Sequence, residues 1–124
     1  MSKSITLPEF TMVTGATTLA AKQYYLVKQH TDGTAILAAA ATDAIIGVLQ
    51  NKPAVGEAAL VRYYGTTKVV AGGTIAVGAF VTANASGQAI ATTTAGDVVV
   101  GIYLGTASAA SGDIIEVQMV RFKY

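Results

Sequence analysis

Along the chain, apolar and polar residues alternate in short runs, and each run is closed by Gly, Asp, Asn or Ser. A period of two bounded by turn residues is the pattern of half-buried strands. It predicts strands over Lys22 to His30, Thr34 to Ala39, Ala44 to Gln50, Ala58 to Tyr64 and Thr66 to Ala71. The second half adds Gly78 to Ala83, Gln88 to Thr92, Val98 to Gly105 and Asp113 to Phe122. Helix signals are nearly absent: no sustained i, i+3, i+4 apolar stripe occurs, and the Ala38 to Ala41 run is one turn long. Asp32-Gly33 and Ser86-Gly87 place a glycine where a tight hairpin needs positive φ.

The strand pattern repeats. Val27 and Val81, Gly33 and Gly87, Ile36 and Ile90, Asp43 and Asp97, and Gly47 and Gly101 all stand 54 positions apart. Gly56 and Gly112, Glu57 and Asp113, and Val61 and Val117 stand 56 apart, so the loop Thr106 to Ser111 takes up a two-residue insertion. Two copies are too few for a solenoid. Two paired sheets would close most edges and bury the Val/Ile faces together. The expected fold is therefore all-β, a compact sandwich or barrel formed from two pseudo-repeated strand units, at about 22–64 and 76–120, within one β domain, 19–124. Residues 1–18, with Pro8 and no evident counterpart in the second half, are expected to form an extended N-terminal arm. Fully extended, such an arm reaches roughly 60 Å.

Composition sharpens this picture. Hydrophobic residues make up 52% of the chain and charged residues 12%, against roughly a quarter charged in an average soluble domain. The excess is small and branched rather than aromatic, which suits flat subunit contacts and predicts a homo-oligomer. A net charge of +1 offers no basic field for a nucleic acid backbone. Val69 to Gly96 carries no formal charge, but its glycines and its Asn, Ser and Thr residues break it too often for a membrane-spanning helix, so no membrane partner is expected. Met1 to Phe10 lacks the basic start and apolar run of a secretion signal, which suggests synthesis in the cytoplasm.

The residues that carry chemistry are few. There is no cysteine, hence no disulfide, thiol nucleophile or thiolate metal site. One histidine, His30, flanks the Asp32-Gly33 turn and cannot alone supply a zinc site or a triad with an obvious partner. Asp43, Asp97, Glu57 and Asp113 recur at loop ends, where carboxylates fix turns. Asp32, Gly33 and Gly87 are read in the same turn-fixing role. Gly72-Gly73 lacks the Gly-Lys-Ser/Thr of a phosphate loop and is read as the bend joining the two repeats. Asn84-Ala85-Ser86 matches a glycosylation acceptor only as a pattern and is read as part of the hairpin. No catalytic residue, metal site or cofactor is expected, and the chain reads as a non-enzyme. Tyr24, Tyr25, Tyr63 and Tyr64 form two doublets near Lys28 and Arg62, so a sugar- or base-stacking platform is conceivable. Adjacent strand residues face opposite ways, so each doublet is expected to give one core ring and one surface ring. The terminal Arg121-Phe122-Lys123-Tyr124 alternates basic and aromatic residues, which fits an edge strand, a contact with an acidic surface or a merely solvated terminus.

From Ala71-Gly72-Gly73-Thr74-Ile75 through Gly78-Ala79-Phe80-Val81, Ser86-Gly87-Gln88-Ala89 and Val100-Gly101-Ile102 to Ala110-Ser111-Gly112-Asp113-Ile114-Ile115-Glu116-Val117, the chain resembles small phage capsid cement or head decoration proteins. The resemblance implies a β-rich structural protein of the virion, without catalytic residues. It would be a homotrimer bound to the major capsid protein on the exterior of the expanded shell, which it stabilises. On that reading the arm meets the shell, with Ile5, Leu7, Pro8, Phe10 and Met12 as contact candidates. The alternative is a virion-associated receptor- or glycan-binding β-module using the tyrosine doublets. A small hydrolase or isomerase is disfavoured, because general acid–base work needs positioned titratable groups that the apolar strands do not offer.

Overall fold

The structure, a computed structural model, describes residues 9–124. Among them there are ten strands and no helix. The first five are β1 (Glu9–Val13), β2 (Leu26–Gln29), β3 (Ala35–Leu37), β4 (Ile45–Leu49) and β5 (Ala58–Arg62). The second five are β6 (Thr66–Val70), β7 (Phe80–Ala83), β8 (Ala89–Ala91), β9 (Val98–Leu104) and β10 (Ile114–Lys123). Each set makes one antiparallel sheet, ordered β1-β5-β4-β2-β3 and β6-β10-β9-β7-β8. The two five-stranded sheets form a sandwich, and the all-β expectation holds.

The nine strands predicted from periodicity all form. The first is shorter than expected, because Lys22 to Tyr25 turns: the Tyr25 amide donates to the Lys22 carbonyl at 3.1 Å. The tenth strand was not predicted. Glu9–Val13, read above as part of the extended arm, pairs along β5 from Glu9 opposite Arg62 to Val13 opposite Ala58. The arm reading therefore applies at most to residues 1–8, which lie outside the described residues.

The identical strand orders show that the repeat begins one strand earlier than the matching residues suggested, with β1 and β6 as counterparts. Hydrogen bonds confirm the pairing. The amides of Gly15 and Gly72 donate to Ala35 and Ala89, and those of Thr14 and Ala71 donate to Glu57 and Asp113. Gly72 thus leads out of a strand inside the second unit, as Gly15 does in the first. It is not the joint between repeats, which is Tyr63-Tyr64-Gly65. There Gly65, at φ 80°, makes a turn that a side chain would strain.

Each sheet also curls on itself. Thr14, just past β1, bridges in parallel to Ala35 of β3 at the opposite edge, and Ala71 does the same to Ala89 of β8. Meeting edges leave fewer unpaired backbone groups for unwanted strand pairing. Two glycines allow β4 and β9 to lie close to their neighbours. A Cβ at Gly47 would overlap the Arg62 carbonyl and come within 2.7 Å of Val61 Cγ1. One at Gly101 would overlap Val117 and the Gln118 carbonyl.

The core follows the alternation along β2 and β4. Leu26 and Val48 point one way and join Ala38, Ile45, Val69, Val81, Ile115 and Val117 in a core shared by both sheets. Val27 and Leu49 point the other way and pack with Leu19, Ala35, Ala59 and Val61 inside the first unit. Fully burying one such Leu or Val contributes about 1.5–3 kcal/mol, so either cluster outweighs any surface ion pair here. Backbone bonds cross between the units as well: the Val70 amide donates to Tyr24 at 3.0 Å, and the Val98 amide donates to Ala41 at 2.8 Å.

Candidate functional site

The repeated carboxylates sit in their own loops rather than converging. Glu57 Oε1 accepts the Ala54 amide at 2.7 Å, and Asp113 Oδ2 accepts the Ala110 amide at 2.9 Å, the same bond in each unit. Asp43 Oδ2 accepts the Ala39 and Ala40 amides at 2.8 and 3.0 Å and the Lys28 ammonium at 2.9 Å. Burial pushes the Asp43 pKa up, but these amides and the Lys28 charge outweigh it and leave the group below its ordinary value. Its counterpart Asp97 is buried and accepts the Thr92 hydroxyl at 2.5 Å. In the hairpins, Gly33 and Gly87 have φ of 86° and 75°. Asp32 accepts both the amide and the hydroxyl of Thr34. Those two bonds outweigh the small effect of burial and, with a lesser contribution from His30, lower the Asp32 pKa. His30 Nδ1 lies 3.1 Å from Asp32, with both side chains about half exposed. Among the described residues no group of three or more His, Cys, Asp or Glu could hold a metal ion.

The tyrosine doublets do not divide as expected. Tyr24 and Tyr25 are both partly buried, Tyr24 against the shared core and Tyr25 beneath the Lys22 ammonium, 4.9 Å from the ring centroid. Tyr63 and Tyr64 are both exposed, at 43% and 61%. Neither doublet lies within a strand, so the alternation rule that would split them does not apply.

Exposed apolar side chains gather in two places. Phe80, on β7, meets Phe122 and Tyr124 edge-on, with centroids 5.2 and 6.1 Å apart. At the joint between the units, Phe10 of β1 packs on Tyr63, with centroids 5.5 Å apart. Phe10 and Tyr63 form one wall of a groove of about 540 Å³, completed by Ile46, Val100, Met119 and Val120. Arg121 and Ile45 line the groove as well, and there the Arg121 guanidinium donates to the Ile45 carbonyl and ties β10 to β4. The Glu9 carboxylate, 3.0 Å from the Arg62 guanidinium, holds the entry to β1 against the end of β5.

Of the five contact candidates, Ile5, Leu7 and Pro8 lie outside the described residues. Met12 packs against the core of the first unit, and Phe10 is exposed on the groove wall. No local sequence signal marks this groove, because its walls come from five separated segments.

Comparison with known proteins adds what the geometry alone does not. No curated protein matches the chain. Among solved structures, the crystal structure of the head fiber gp8.5 N base in bacteriophage phi29 superposes with a TM-score of 0.68. The match covers 94% of this chain and 96% of that one at 24% identity, a likeness of fold. The family model for phage cement proteins matches residues 8–119, from the first strand into the tenth and across both repeats, and the chain therefore belongs to the phage cement protein family.

Proposed function

We propose that this phage cement protein binds the outer surface of an expanded capsid through its major capsid protein and stabilises that state without catalysis. The observation that carries the reading is the family match, which spans both units rather than a single motif. Preferential binding to the expanded shell would stabilise it by mass action. A homotrimer would strengthen weak individual contacts by effective concentration. The low share of charged residues, 12%, supports self-association. The shell contact is proposed at the Phe10 end of the molecule, where Tyr63 and Tyr64 add exposed aromatic surface.

Co-sedimentation with expanded and unexpanded shells, with the protein's mass measured in parallel, tests this. Saturable binding of a multimer to expanded shells only is expected, with Phe10→Ala weakening it. Equal binding to both shells would remove the stabilising role, and binding to neither would remove the function. A second reading is favoured by the Phe10–Tyr63 pair, since exposed aromatic rings beside a groove also stack on sugars. Retention on host-derived glycans without shell binding would establish that reading instead.

A further inference from the structure

The two units meet by different faces, and each of those faces has a counterpart on the other unit that is exposed. We propose that the two exposed counterparts meet between copies, so that the contact joining the units within one chain is repeated head to tail from one copy to the next.

Within the chain, the hairpin carrying Gly87 is the part of the second unit that enters the first. The Leu26 amide donates to the Gly87 carbonyl at 2.7 Å, and Gly87 is buried. A Cβ there would lie 3.0 Å from the Leu26 carbonyl oxygen and 3.2 Å from Leu37 Cδ2. At the end of β6, the Val70 amide reaches the Tyr24 carbonyl at 3.0 Å. The matching hairpin of the first unit is built alike. The Gly33 amide donates to His30 at 2.9 Å as that of Gly87 does to Asn84 at 3.3 Å, and the His30 amide donates to Thr34 as that of Asn84 does to Gln88. Yet Gly33 is exposed, and a Cβ there would come no closer than 3.7 Å to a neighbour, Gln29, among the described residues. Val13, the counterpart of Val70 on β1, is 55% exposed.

The receiving face is duplicated in the same way. Phe80 and Ala91 stand in the second unit where Leu26 and Leu37 stand in the first, and Gly78 stands where Tyr24 does. Leu26 is fully buried and Leu37 half-buried, whereas Phe80 is half-buried and Ala91 and Gly78 are exposed. Val77, next to Gly78, is exposed as well. Seated as Gly87 is on Leu26, the Gly33 carbonyl of one copy would take the Phe80 amide of the next, and Val13 would lie against Val77 and Gly78. A second copy is the occupant because this face repeats one that already holds such a hairpin, and the chain carries another hairpin of that build at its surface. Donor and receiver lie on different units, so the contact is heterologous, passes from copy to copy and closes as a ring.

The inference rests on the self-association proposed above, and its test separates the two. With no native cysteine, Thr31→Cys beside the Gly33 turn can be combined with Ala91→Cys, both at exposed positions. A disulfide forms readily only when the Cα atoms come within about 7 Å. Thr31→Cys with Val55→Cys, on the loop between β4 and β5, is the control. Interchain disulfides forming at least about tenfold faster in the first pair than in the control are expected, in a multimer whose mass is measured in parallel. A multimer that cross-links no faster than the control would overturn this contact and leave self-association standing, whereas the mass of a single chain would overturn both. As a second measurement, Ala91→Arg should reduce the multimer to single chains with the circular dichroism spectrum unchanged. An unchanged mass would overturn the proposal.

Discussion

The backbone demands of single residues account for much of the repeat. Gly47 and Gly101 recur because the neighbouring strand leaves no room for a Cβ. Gly47→Ala and Gly101→Ala should each cost about 1–3 kcal/mol, the usual range for overpacking, read as a lower urea midpoint. Tyr24 shows the opposite case. It stands at φ 69° where its counterpart Gly78 stands at 81°, so the first unit carries a left-handed tyrosine in a place made for glycine. About 1–2 kcal/mol of strain is expected there, offset by the packing of its ring on the shared core and by its carbonyl's bond from Val70. Asp43 gives a pH dependence. Because its folded pKa lies below the ordinary 3.8, its contribution is complete above that value and is lost as pH falls through the lower folded pKa. Asp43→Asn should therefore cost about 1–2 kcal/mol near pH 7 and progressively less below pH 4, as measured by urea unfolding across pH.

At the scale of elements, β1 is the strand whose role the periodicity concealed. Glu9–Val13 is short: Phe10 and Met12 alternate with Glu9 and Thr11, but two apolar positions make too brief a pattern to announce a strand, and only Met12 packs against the core of the first unit. Its place is set by pairing with β5 and by the Thr14 bridge that closes the curled sheet. Two truncations separate arm from strand. Removing residues 1–8 should leave the far-ultraviolet circular dichroism spectrum of the folded protein. Removing 1–18 should abolish the cooperative transition or lower its midpoint steeply, because an edge strand is lost and the Leu49, Val61 and Leu19 cluster is uncovered. Shell binding lost only with the longer truncation would then report unfolding rather than a missing contact.

For the molecule as a whole, the two units are alike in strand order and unlike in burial. Leu26, Ala38, Ile45 and Val48 of the first unit are buried in a core continuous with the second. Phe80 and Ile102, the counterparts of Leu26 and Val48, are only partly buried, whereas Thr92 and Val99, the counterparts of Ala38 and Ile45, are buried. Neither unit is therefore a finished body, and the protein should unfold as one. A single urea transition, coincident by tyrosine fluorescence and circular dichroism, is expected. Two separated transitions would show that the units hold their structure independently.

The sequence by itself determined the class of fold, nine of the ten strands, the hairpin glycines and the existence of a repeat. Those features depend on local alternation and on backbone conformations that few residues adopt. The cement-like character was legible too, in the strand-and-turn rhythm from Ala71 to Val117. The length of the repeat, the joint at Tyr63 to Gly65, the exposure of both tyrosines there and the groove were decided only by tertiary structure. Phe10, Ile46, Val100 and Val120 are far apart in sequence and meet only because β1, β4, β9 and β10 converge there. An apolar residue in a strand gives the same local signal whether its face meets another sheet, its own curled sheet or an open groove. Which of these it meets is a property of the packed whole.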